Sequence, residues 1–80
     1  MSTPTDPADP AALAAAAREN IDALSRSSDL AAFEELLGLS QYVGEALGAS
    51  ARTLAQASSW AAVGGLAGTT KQAAWARWRT

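Results

Sequence analysis

Apolar residues recur at three- and four-residue intervals along most of this chain, and no stretch alternates with period two. The pattern predicts helices and no strands. Leu13, Ala17, Ile21 and Leu24 fall on one stripe, with Arg18, Asp22 and Arg26 off it, which predicts an amphipathic helix over about 10–26. Asp9 and Pro10 mark its start. A carboxylate there can accept from the free backbone N–H groups, and proline suits the first helical position. The prolines crowded before this point predict a flexible tail over 1–9.

Ser27, Ser28 and Asp29 form a second start signal. From there Leu30, Phe33, Leu37, Ser40, Gly44, Leu47, Ala51 and Leu54 keep three-four spacing. This predicts one helix over about 29–57, roughly 43 Å long. Gly38 is the place where it would bend or split, because glycine is a poor helix former. Gly44 and Gly48 lie one turn apart and bare a patch that another helix can approach closely, with internal packing as the first expectation. The two helices are expected to form a hairpin over 10–57.

Ser58 or Ser59 then caps WAAVGGLA, a short helix over about 59–67. Gly68 is placed to end it in the left-handed conformation. Thr69 and Thr70 offer the next cap, with Gln72 completing a capping box from Thr69. KQAAWARWR is the last helix, about 70–79. The expected fold is all-α: an N-terminal helix, a long central helix and a C-terminal helix-turn-helix over 58–80. In that motif Gly64 leaves room for the crossing, Gly68 makes the turn, and Val63, Leu66 and Ala67 face Ala74 and Trp78. Trp60 pins the first short helix to the long one, and Trp60 and Trp78 are expected in the core.

Composition narrows the function. Eighty residues make one small domain with a thin core, for which self-association would be natural. Cysteine and histidine are both absent, which removes thiol chemistry, the commonest general base and the commonest metal ligands. Glu34 and Glu35 are neighbours and so do not share a helical face, and Glu19 with Asp22 reads as a solvated pair. Neither a nucleophile–base pair nor a metal cluster nor a phosphate loop is present, so the chain reads as no enzyme, with no cofactor and no metal. The longest apolar run, WAAVGGLAG, falls well short of a bilayer. The acidic N-terminus is unlike a secretory signal, so the cytoplasm is the expected location, with no membrane partner.

Charge changes the picture. The net charge of −2 argues against nucleic acid for the chain as a whole. All eight acids, however, lie at or before Glu45 and leave residues 1–45 at −6, whereas Arg52, Lys71, Arg77 and Arg79 leave residues 46–80 at +4. Opposite halves imply two jobs on one small body.

W-x-x-V-G-x-x-x-G-x-T-K-Q-A-A-W-x-R-W, within residues 58–78, resembles the C-terminal helix-turn-helix of small actinobacterial DNA-binding proteins. Their pattern is roughly SWAEIGxALGVSRQAAxxRF, similar also to the DNA-reading region of sigma factors. Thr69 stands here for an apolar residue, Gly65 for a charged residue or alanine, and Thr70-Lys71 for serine-arginine. The resemblance implies that the last helix enters the major groove, with Thr69, Thr70, Lys71, Gln72 and Trp75 toward DNA. Lys71 would reach a guanine edge or a phosphate, and Gln72 an adenine edge. Arg77, Arg79 and Arg52 would add phosphate contacts. Trp60, Val63, Gly64, Gly68, Ala74 and Trp78 would carry the motif's structure.

The expected function is a DNA-binding transcriptional regulator. Four cations make few phosphate contacts, so a homodimer, or cooperative assembly on neighbouring sites, is expected on double-stranded DNA. The alternative is a protein-interaction module, a helix-turn-helix that docks a protein partner in transcription without binding DNA strongly.

Overall fold

The computed structural model describes residues 9–80 and is all-α. Four helices follow in order: α1 Pro10–Ser25, α2 Leu30–Ala57, α3 Trp60–Ala67 and α4 Lys71–Trp78. Of the tail expected over 1–9, only Asp9 lies among the described residues. α2 runs unbroken through Gly38, Gly44 and Gly48. Twenty-eight residues of mostly good helix formers outweigh the local cost of each glycine.

Helix ends follow the capping chemistry with two corrections. Asp9 precedes α1 and Pro10 opens it, but the Asp9 side chain makes no capping bond. Its backbone carbonyl accepts from Leu13 N–H at 3.0 Å instead. The second correction concerns α4. Its N-cap is Thr70, whose side chain accepts from Ala73 N–H at 3.1 Å. Ala73 therefore occupies the position where a capping box needs glutamine, and Gln72 is free of that role. At α2, Asp29 Oδ1 accepts from Ala31 N–H at 3.0 Å, and Ser27 Oγ accepts from Asp29 N–H at 3.1 Å. At α3 it is Ser59 that caps, accepting from Ala62 N–H at 3.0 Å.

The chain divides into two compact units, residues 1–39 and 40–80. In the described part of the first, α1 buries no residue fully. Of its expected stripe, Ile21 and Leu24 are half-buried while Leu13 and Ala17 are exposed. Ala32 is buried at the start of α2, but Leu30 is 85% exposed, with Phe33 and Leu37 exposed beside it.

The second unit holds the better core. Ala51 of α2, Val63 of α3 and Ala74 of α4 form it, with Leu54, Ala55, Trp60 and Trp78 packed around. Ala74 is 0% exposed. Small side chains let α3 and α4 approach closely, and α2 joins them through side-chain packing. Gly48 leaves room for that packing. A Cβ there would lie 3.2 Å from Arg52 Nη1 and 3.7 Å from Trp78 Cδ1, whereas Gly44 faces open space. The glycine patch on α2 is thus half engaged, by the tryptophan of α4. Trp60 and Trp78 are both half-buried and pack against this core. Leu66 departs from expectation. Leu66 is 81% exposed. Val63 and Gly64 mark the inward direction of α3, and at about 100° per residue Leu66 falls well round to the side. Among the described residues no helix is long and apolar enough to cross a membrane.

Candidate nucleic-acid interface

Two glycines hold α3 and α4 at their mutual angle. Gly68 adopts φ 71° and ψ 31°, the left-handed region that side chains with a Cβ avoid. This reverses the chain, and the Gly64 carbonyl accepts from the N–H groups of both Gly68 and Thr69, the latter at 2.8 Å. Gly64 then lies directly against the start of α4. A Cβ on it would stand 2.9 Å from Thr69 O, Thr70 C and Thr70 O. The glycine therefore makes room for the turn backbone that leads into α4.

The consequence is the placement of the α4 face. Ala74 points inward and Trp78 packs on the core, while Lys71, Gln72, Trp75 and Arg79 are exposed. Gln72, Trp75 and Arg79 are spaced to share the outward side of one helix. Thr69 and Thr70 are exposed at its start. The Thr70 hydroxyl oxygen is engaged as the cap, and its carbonyl accepts from Ala74 N–H at 3.0 Å. Ala73 and Ala74 N–H are thereby satisfied, and the remaining donors of the first turn belong to Lys71 and Gln72.

The arginines are held rather than loose. The Arg79 guanidinium carbon lies 4.5 Å from the Trp75 ring centroid, and that of Arg77 lies 5.0 Å from the Trp78 ring centroid. Cation–π contacts of this kind contribute about 0.5–1 kcal/mol at exposed sites. Arg52, expected to meet a phosphate, is already engaged. Its Nη1 donates to the Trp78 carbonyl at 3.1 Å, which satisfies an end group of α4 and sets positive charge at the helix C-terminus.

Trp60 separates two open clefts. One, about 320 Å³, is lined by Trp60, Lys71, Gln72 and Trp75. The other, about 210 Å³, is lined by Arg52, Ala55, Gln56, Trp60 and Arg79. The fold thus brings Lys71, Gln72 and Trp75 together, places Arg52 with Arg79, and leaves Arg77 lining neither cleft. Sequence reasoning missed Gln56 and gave Trp60 only a structural role. The signal for Gln56 was its place one turn after Arg52 on the same face of α2. No acid follows Glu45 in the sequence, so no acidic side chain of the 46–80 stretch neutralises these cations. Comparison with known proteins finds no matching protein family, no similar curated protein and no similar solved structure.

Proposed function

We propose that this chain is a DNA-binding transcriptional regulator of the cytoplasm that reads the major groove of double-stranded DNA with α4, as a homodimer. The carrying observation is the outward face of α4. An amide, an indole and cations are exposed there together on a helix whose other side is anchored by the fully buried Ala74. An α-helix fits the major groove, and these side chains can meet base edges and phosphates. The resemblance of residues 58–78 to small actinobacterial DNA-binding proteins points the same way. Thr69, Thr70 and Lys71 at the helix start would take a phosphate or a base edge. Arg79 and Arg77 would take backbone phosphates, with Arg52 contributing the donors left over from the Trp78 carbonyl. Homodimerisation would double a small cation count, and exposed Leu47 and Leu66 give it apolar surface.

A mobility-shift assay at low salt, with the duplex upstream of the chain's own gene, tests the reading. Binding is expected there, and Lys71→Ala and Gln72→Ala should each weaken it by about 1–3 kcal/mol if they read bases. Absence of binding even at low salt overturns it.

One observation favours the second reading, a protein-interaction module. WAAVGGLA carries no charged or polar group apart from the indole N–H, and its Leu66 is largely exposed. A tight oligomer by light scattering that ignores DNA at every salt concentration would support that alternative.

A further inference from the structure

Trp75 gives the outer face of a cationic helix an apolar centre. The residue is 47% exposed, with Arg79 stacked on the ring and the Lys71–Gln72 cleft beside it. Gln72 and Trp75 stand three residues apart, so an amide and an aromatic ring meet the same stretch of anything lying along α4. Lys71, Arg77 and Arg79 make that helix complementary to a polyanion, and no acid lies on it.

The major groove offers such a surface one apolar group, the thymine methyl. It also offers one edge that an amide matches with two bonds, the adenine N6 and N7 pair. A guanine·cytosine pair presents as many polar groups and no methyl, so it leaves the indole nothing apolar to meet. Given α4 as the reading helix, we infer that Trp75 reads thymine methyl groups and Gln72 the adenine of the same or the adjoining pair. The recognised duplex then carries A·T pairs opposite Gln72 and Trp75, and Lys71 meets a flanking phosphate. This inference rests on the DNA reading above and adds to it the class of base recognised.

The test uses the full chain and a pool of short duplexes with a randomised centre, selected by wild type at low salt. Selected duplexes are then remade with deoxyuridine in place of thymidine, which removes only the methyl group. A·T pairs are expected at a fixed position, and the uracil duplex should bind wild type about fourfold more weakly per contacted methyl. Trp75→Ala should bind both duplexes equally. Lys71→Ala should weaken both and keep the fourfold ratio. The inference is overturned, with DNA binding intact, if selected sites lack A·T pairs, if uracil changes nothing for wild type, or if the ratio survives in Trp75→Ala. Retention of no duplex by wild type overturns the inference and the DNA reading together. The uracil comparison alters only the DNA, so it holds whatever a variant does to folding.

Discussion

Gly64→Ala isolates the contact that sets the angle between α3 and α4. The added methyl would stand 2.9 Å from Thr69 O, Thr70 C and Thr70 O. All three are backbone atoms, so no side-chain rotation relieves the clash. The surrounding hydrogen bonds resist a shift: the Gly64 carbonyl holds Gly68 and Thr69 N–H, and the Thr70 carbonyl holds Ala74 N–H. Overpacking of this kind costs about 1–3 kcal/mol, and rigid backbone on the receiving side argues for the upper end. Alanine returns about 1 kcal/mol through helix propensity. The net expectation is a loss of roughly 2 kcal/mol, or a fall in Tm of about 8–16 °C for a chain of this size. Gly65→Ala is the matched control. It makes the same exchange one residue on, where an added Cβ meets nothing within 4 Å. It should raise stability by up to about 1 kcal/mol. Thermal and urea unfolding followed by helical circular dichroism would measure both. A Gly64→Ala protein as stable as Gly65→Ala would refute the close-approach reasoning.

The caps and the arginine clamp give further expectations. Ser59→Ala and Thr70→Ala should each cost about 1 kcal/mol in urea unfolding, while Asp9→Ala should cost far less, because the Asp9 side chain caps nothing. Arg52→Met removes the donor to the Trp78 carbonyl. Amide exchange should show the last turn of α4 opening more readily, and a Lys71→Met protein should leave that exchange unchanged. On DNA, Arg52→Met should lower affinity and reduce the slope of log K against log salt by about 0.9, because its remaining guanidinium donors take a phosphate. An unchanged slope would show that Arg52 acts only as the clamp.

Much of the fold was legible in the sequence because helices are locally encoded. Three-four spacing, Asp29, Ser59 and Thr70 at helix starts and Gly68 at a turn all act within a few residues. The opposed charge of the two stretches was equally plain, since it needs no structure at all. Where side chains go was less legible. The set from Leu30 to Leu54 keeps one spacing throughout, yet only its end at Ala51 and Leu54 joins the core of the second unit. Leu66 read as inward and lies exposed, and Trp60 packs against the core as read but also lines two open clefts.

The physical reason is that periodicity specifies which residues share a face, whereas burial depends on what covers that face. Sequence alone determined an all-α chain, its capped and glycine-punctuated helix ends, and the concentration of cations after Glu45. Tertiary structure alone decided that Gly64 faces turn backbone, that Arg52 is committed to the end of α4, and that Lys71, Gln72 and Trp75 line one cleft with Trp60. Those are contacts between residues distant along the chain or around a turn, and they depend on the fit of packed surfaces, which no local pattern records.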